Sequence, residues 1–311
     1  MTWPANTAFS SQLPVLQLSW DSVSLGALKE CPRKYQLAIV QGWRARSTAV
    51  DLQFGILLHA SRERYYHAKA RGETHEQAQR ETLGWLLEAT WNEELNRPWQ
   101  GDQYKNRFTL ARSFVWYTEQ WGENDPLEQV FLANGRPAVE VSFRFELDQR
   151  SAQGEQFALC GHLDRVVRFN GATWISDLKS TRHTLDGSYF AGFSPDNQIT
   201  LYTIAGRVVC SEPVQGIVLD AVQVAVGFSR FARGLVQRTE QQLEEWLAGL
   251  RVLLGQAESY ARAGFWPQND KACFRCQFRS ICSKSPSVRE AWLKADFEQR
   301  IWDPLVVRGN I

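Results

Sequence analysis

The sequence predicts an α/β fold with a mixed central sheet, a helical N-terminal section and a cysteine-bearing C-terminal segment. Three observations carry this expectation. Between about Ser22 and Trp121 apolar residues recur at helical spacing. From Arg136 they alternate with polar ones, and beyond Ser194 helical and strand patterns interleave. At 311 residues the chain is long enough to bury a large core.

Taken in order, DLQFGILLHASRERYYHAKARG (51–72) and HEQAQRETLGWLLEATWNEEL (75–95) read as helices, because their apolar side chains return every three or four positions. VEVSFRFEL (139–147) alternates like a strand with one buried face, and QFALCGHLDRVVRF (156–169) and ATWISDLKS (172–180) continue the run. Ser194 is expected to cap the helix PDNQITLYTIAGRVV (195–209), with Pro195 at the first helical position, where a missing amide costs nothing. The strand GIVLDAVQVAV (216–226) precedes the helix TEQQLEEWLAGLRVLLGQAESYARAG (239–264), whose Thr239 and Gln242 form a capping-box pair. The segment CFRCQFRSIC (273–282) and a mixed tail come last. The sequence has no internal repeat and no G-x4-G-K-[ST] phosphate loop, so it encodes no ATP-driven motor of that class.

Composition narrows the function classes. No apolar run approaches the roughly 20 residues needed to span a bilayer. The stretch MTWPANTAF lacks the basic and apolar regions of a secretory signal, so a cytoplasmic protein without membrane contact is expected. A formal charge of +1 exerts no global pull on nucleic acid. DNA binding therefore needs a local basic groove, for which Arg33-Lys34, Arg62 with Arg64, and Lys105 with Arg107 are candidates, although such clusters are more often solvated faces.

The stretch GHLDRVVRFNGATWISDLKS (161–180) places charges inside apolar, β-branched strand sequence. Asn170-Gly171 is a strong hairpin signal, because both residues tolerate the positive φ of a type I′ turn. With that turn, residue 169 pairs with 172 and every further pair sums to 341, which sets Asp164 opposite Asp177. Alternation puts Lys179 on the same face. Two carboxylates about 5 Å apart repel unless a cation lies between them. Oxygen ligands select Mg²⁺ or Mn²⁺, and Lys179 is placed to orient a water for attack on a phosphate. An exposed hairpin face would also tolerate Asp and Lys, and among 34 acids and 8 lysines about one acid-x-Lys match arises by chance.

Cys273, Cys276 and Cys282 have C-x2-C-x5-C spacing, too short to complete a four-ligand site without a further residue. Spacing alone does not separate zinc from an iron-sulfur cluster. Cys160 and Cys210 read as ordinary buried thiols.

These motifs resemble the PD-(D/E)xK nuclease superfamily, specifically its RecB-like branch with an iron-sulfur cluster, which includes the CRISPR-associated cluster-containing exonucleases and the AddB nuclease domain. The similarity runs from about Ser22 to Cys282, with the motifs in the family's order. Gly161-His162-Leu163-Asp164 matches its G-x-x-D element and Asp177-Leu178-Lys179 its D-x-K element. Gln198 and Tyr202 match its Q-x3-Y element, one helical turn apart. Gly55 to His59 matches the helix with a metal-binding histidine, Glu63 lies one turn further, and Glu140 stands where the family often has another acid. Cys31, before Pro-Arg-Lys, matches its N-terminal cluster cysteine.

The resemblance implies a restriction-endonuclease-like α/β core with a mixed central sheet. A single nuclease domain over 1–311 is expected: a mainly helical section (22–121), a catalytic core (136–264), an iron-sulfur segment (265–284) and a tail (285–311). It implies that Asp164, Asp177, the Leu178 carbonyl, Glu140 and His59 hold Mg²⁺ or Mn²⁺, with His59 a ligand or, as neutral imidazole, a contact to substrate. Lys179 serves the attacking water, and Gln198 and Tyr202 hold the DNA backbone. Taken alone, Gln198 is equally a capping glutamine and Tyr202 a core tyrosine. Cys31, Cys273, Cys276 and Cys282 are implied to bind a [4Fe-4S] cluster, with zinc as the alternative. His162, opposite Lys179 in the predicted register, reads as a supporting or spare group, and His67 and His75 as core residues. Trp43, Phe54, Tyr65 and Tyr66 are candidates to stack bases, although with 13 Trp and 17 Phe most aromatics must fill core.

The expected function is a metal-dependent DNA exonuclease acting on single-stranded ends, leaning 5′ to 3′, in recombination and repair, phage DNA processing or CRISPR adaptation. Its partners would be DNA and the proteins of those processes. Two alternatives stay open: a DNA-binding or assembly subunit with little cutting of its own, and a sequence-specific endonuclease.

Overall fold

The computed structural model describes residues 8–306, so most of the stretch read for a secretory signal, and the last residues of the tail, lie outside it. The chain divides into two compact units. One, called here the carboxylate unit, comprises Thr48–Val141 and His162–Arg238; the other, the cysteine unit, comprises the chain up to Ser47, Ser142–Gly161 and 239–306.

In the carboxylate unit the predicted hairpin of Gln156–Phe169 and Ala172–Thr181 is antiparallel. Ala172–Thr181 pairs in parallel with Val214–Val224, which pairs antiparallel with Ser229–Val236. The sheet is therefore mixed, as expected. Val50–Ala70 and Arg107–Trp121 pack on it, and His75–Ala89 packs on those two helices. Their buried stripe, including Phe54, Leu57, Leu58 and Phe114, joins Leu178, Val222 and Val224 of the sheet in one core. That burial, at about 25 cal/mol per Å² of apolar surface, is what fixes the first helix over the strand that carries Asp177 and Lys179.

In the cysteine unit Ser19–Trp20 pairs in parallel with Ala158 and Leu159, and Trp43–Ala45 pairs antiparallel with Phe297–Gln299. The long helix Glu240–Ala263 starts on the predicted box of Thr239 and Gln242 and stops at Gly264, whose φ of +61° suits a residue without Cβ. Among the described residues no helix is long and apolar enough to cross a membrane.

Several sequence expectations need correction. The helix from His75 ends at Ala89 rather than at Leu95, because Thr90 turns its hydroxyl back onto the Leu86 carbonyl and Trp91 and Asn92 join a short hairpin. The helix expected to open at Pro195 runs Asn197–Val209. Its cap is Asp196, whose carboxylate accepts the Ile199 amide at 2.9 Å, not Ser194. The strand Ser229–Val236 escaped notice because Arg230 and Arg233 interrupt its apolar pattern. Cys160 is buried as expected, whereas Cys210 lies at the end of its helix and is only half-buried.

Candidate active site

The site begins with the turn. Asn170 and Gly171 both take positive φ, +49° and +75°, and the pairs Phe169 with Ala172 through Arg165 with Ser176 follow the predicted register. The ladder stops there, one pair short of Asp164 and Asp177. In its place the Asp164 carboxylate oxygen Oδ2 accepts the Leu178 amide at 2.9 Å. A side chain thus replaces a backbone partner, and the pairing of the two strands, though not the strands themselves, ends just before the acids.

Two more elements supply donors. His59, on the helix Val50–Ala70, faces Asp164 Oδ2 with Nδ1 at 3.1 Å and the Leu178 carbonyl with Nε2 at 2.9 Å. With an oxygen acceptor at each ring nitrogen, the site favours imidazolium over the neutral ring expected from sequence. Burial would lower the His59 pKa, but the Asp164 charge outweighs it and raises it. Glu140, buried at the start of Val139–Arg150, has a φ of +49°, a left-handed conformation that a glutamate adopts at a cost. Ligand atoms of His59, Glu140 and Asp164 lie within 4.8 Å of one another. The acid that was the weakest motif match is therefore brought to the site.

Asp177 is fully buried, and neither of its oxygens accepts an aligned hydrogen bond. Its close partner is Lys179 Nζ at 2.7 Å, an ion pair without hydrogen-bond alignment. Burial raises the Asp177 pKa, and the Asp164 charge raises it further. Lys179 is pulled the other way: burial favours its neutral form, yet Asp177 and Asp164 outweigh burial and keep it protonated. Asp164 itself lies well below the usual carboxylate range, because His59 and Arg62 overcome the effect of burial.

Lys179 Nζ also donates to Gln198 Oε1 at 2.7 Å, and Gln198 Nε2 donates to the Tyr202 hydroxyl at 3.1 Å. The two residues form a relay onto Lys179, so Gln198 is neither a cap nor solvated. Asp177 falls outside the group of three close ligand atoms, and Leu178 offers a carbonyl already engaged by His59.

Sequence reasoning missed two groups. Arg62, three residues after His59 and so on the same helical face, donates to Asp164 Oδ2 at 3.1 Å and lies 3.6 Å from Asp220. Asp220 is fully buried in Val214–Val224. The signal was available, since a lone acid within VLDAV raises the same question as Asp177.

Other expectations do not reach the site. Arg62 and Lys105 are buried and ion-paired, Lys105 with Asp51 at 3.0 Å, so neither belongs to an open basic groove or a solvated face. Arg107 donates to the Leu87 carbonyl, and Lys34 pairs with Glu30 at 2.5 Å. Trp43, Phe54, Tyr65 and Tyr66 are all buried, which excludes them as stacking platforms. His75 is buried against the Tyr65 hydroxyl, and His67 lies 3.9 Å from Glu63, a weak pair on one helical turn.

The four motif cysteines all belong to the cysteine unit and are free thiols. Asn269 knits them: its amide donates to Cys31 Sγ at 3.3 Å, its carbonyl accepts from the Cys273 thiol at 3.6 Å, and its side chain donates to the Glu30 carbonyl at 2.7 Å. Burial raises the pKa of Cys276, which also feels Cys31, and of Cys282, which also feels Cys276 and Cys273. Cys276 and Cys282 flank an apolar cluster of Leu37, Trp43, Phe278, Ile281, Leu293 and Phe297.

Comparison with known proteins places the chain in a family. No curated protein matches the sequence. Among solved structures, a protein from Eubacterium rectale described as a candidate exonuclease shares 12% identity at a TM-score of 0.49, covering 94% of this chain and 98% of its own. The structure of SSO0001 shares 14% identity at a TM-score of 0.30, covering 47% of this chain and 59% of its own. The sequence model of the PD-(D/E)XK nuclease superfamily matches residues 22–283, a span that contains every motif described above, and the chain therefore belongs to that superfamily.

Proposed function

We propose that the chain is a divalent-metal-dependent deoxyribonuclease that degrades single-stranded DNA from its ends. One observation carries the reading. Asp177, a fully buried carboxylate with no aligned hydrogen bond, shares the end of the hairpin with Asp164 and an ion pair with Lys179. A buried carboxylate in that state is costly unless a cation completes it.

The donor set fits a hard cation. Glu140, Asp164, Asp177 and the Leu178 carbonyl would hold Mg²⁺ or Mn²⁺, with His59 joining them only after losing its proton, and the ion when bound supplies Lewis acidity toward a phosphate oxygen and lowers the pKa of water. The chain's own groups have separate tasks. Lys179, fixed between Asp177 and Gln198, aims a positive charge at the phosphate and orients the attacking water. Gln198 holds Lys179 in that pose, and Tyr202 holds Gln198. His59 and Arg62 keep Asp164 ionised. The preference for free single-stranded ends and the 5′ to 3′ direction follow the resemblance to the RecB-like branch.

We assign Cys31, Cys273, Cys276 and Cys282 to a [4Fe-4S] cluster that ties the first helix of the cysteine unit to residues 269–282. Asn269 and the mutual influence of the thiols support a shared site. Zinc held by the same four thiolates is the alternative.

The test is anaerobic purification followed by incubation with Mn²⁺ and two substrates, an end-labelled single strand and a closed circle. Shortening of the strand with the circle intact is expected. Discrete fragments from the circle would replace the exonuclease reading with an endonuclease, and no cleavage of either would contradict it altogether.

A further inference from the structure

Behind Asp164 lies a buried chain of alternating charges. Asp164 meets Arg62 at 3.1 Å, Arg62 meets Asp220 at 3.6 Å, and Asp220 meets Arg233 at 3.3 Å. Arg233 meets Asp125 at 2.5 Å, and Asp125 meets Arg165 at 3.0 Å. The Tyr117 hydroxyl donates to Asp220 as well. Stability does not explain such a chain, because removing ions from water offsets most of their attraction and packed apolar groups would serve as well. One end of the chain is a carboxylate of the site, and that end is where the geometry is tightest.

Three donors converge on a single oxygen of Asp164: Arg62 Nη2 at 3.1 Å, His59 Nδ1 at 3.1 Å and the Leu178 amide at 2.9 Å, all on Oδ2. None of the three reaches Oδ1. A carboxylate loaded on one oxygen cannot rotate freely, and its second oxygen is left clear of these three donors, in a residue whose ligand atom lies within 4.8 Å of those of His59 and Glu140. The other terminal nitrogen of Arg62, Nη1, is occupied by Asp220 at 3.6 Å and by the Ser176 hydroxyl at 3.4 Å. A guanidinium with no second acid would take both oxygens of Asp164 in the bidentate pairing that arginine and carboxylates favour.

We propose that Arg62 and Asp220 are positioning residues for a divalent cation. Arg62 pins one oxygen of Asp164 and leaves the other to the ion. Asp220 holds Arg62 back from that second oxygen and offsets its charge next to the site. The inference rests on the nuclease reading in that it needs an ion at Asp164.

The experiment is Mn²⁺ titration of the full-length protein, with free Mn²⁺ followed by electron paramagnetic resonance, for wild type, Asp220→Asn and Asp125→Asn. Asp220 acts on the ligand through Arg62, and loss of a ligand's supporting partner costs roughly 10 to 100-fold in metal affinity. Asp220→Asn should therefore weaken Mn²⁺ binding at least about 10-fold, whereas Asp125→Asn, two links further along the same chain, should stay within about two-fold while losing comparable thermal stability. Equal affinity for Asp220→Asn and wild type, or equal weakening by the two variants, overturns the proposal. If Asp220→Asn does not fold, Arg62→Lys takes its place, since one ammonium on a shorter reach cannot serve both acids; wild-type affinity there also overturns it. Wild type that binds no Mn²⁺ removes the nuclease reading itself, and the proposal with it.

Discussion

The two units hold buried polarity by different means. In the carboxylate unit Asp164, Arg62, Asp220, Arg233 and Asp125 find partners within the chain itself, whereas neither oxygen of Asp177 accepts an aligned hydrogen bond. In the cysteine unit Cys31 and Cys273 lean on the backbone of Asn269, and Cys276 and Cys282 sit beside an apolar cluster with their pKa values raised by burial. The acids of the carboxylate unit are therefore held mostly by arginines of the same unit. On the assignment proposed above, the cysteine unit leaves its sulfurs to a group that comes from outside.

The largest effect that would sharpen this contrast is on the cysteine side. Cys276→Ala should remove a ligand on which folding depends, a loss of about 4–5 kcal/mol or more, seen as insoluble protein or a collapsed melting temperature. Cys160→Ala, a buried thiol of the same unit with no ligand role, should cost only about 1 kcal/mol. Equal melting temperatures for the two variants would erase the distinction between the units.

The second effect has the opposite sign. Asp177→Asn should abolish cleavage yet raise the stability of the metal-free protein by on the order of 1 kcal/mol, because it removes a buried charge whose oxygens lack aligned hydrogen bonds. A lower melting temperature for Asp177→Asn in chelator would show that the Lys179 pair, not a cation, is what makes the acid tolerable.

The smallest effect concerns acid. Despite burial, which alone would raise it, Arg233 and Arg165 hold the Asp125 carboxyl below its ordinary range. A depressed folded-state pKa contributes stability that is present above the unfolded value, about 3.9, and lost as pH falls through the folded one. Denaturant midpoints should therefore drop below about pH 4 in wild type and drop less steeply in Asp125→Asn. Parallel acid limbs would mean that Asp125 is not held by its arginines.

Much of the site was legible because it depends on local rules. The Asn170-Gly171 turn gives the register of the hairpin as far as Arg165 and Ser176, one pair short of the expected Asp164–Asp177 pair, and one helical turn joins Gln198 to Tyr202. What stayed illegible depends on packing between distant elements. Arg62 and Lys105 read as surface charge but are buried against acids 102 and 54 residues away, Asp164 and Asp51. Glu140 was the least specific motif, since no local pattern announces a left-handed glutamate. The end of the helix at Ala89 and the cap at Asp196 were missed because side-chain to backbone bonds compete with the apolar pattern.

The central claim is that Lys179 and its acids form a hydrolytic site, and the most direct measurement is release of end label from a single strand in Mn²⁺ by wild type and Lys179→Ala, with Mn²⁺ binding recorded in parallel. The account predicts a fall in cleavage of about 10²–10⁴-fold with Mn²⁺ still bound. Cleavage by Lys179→Ala at the wild-type rate would contradict it.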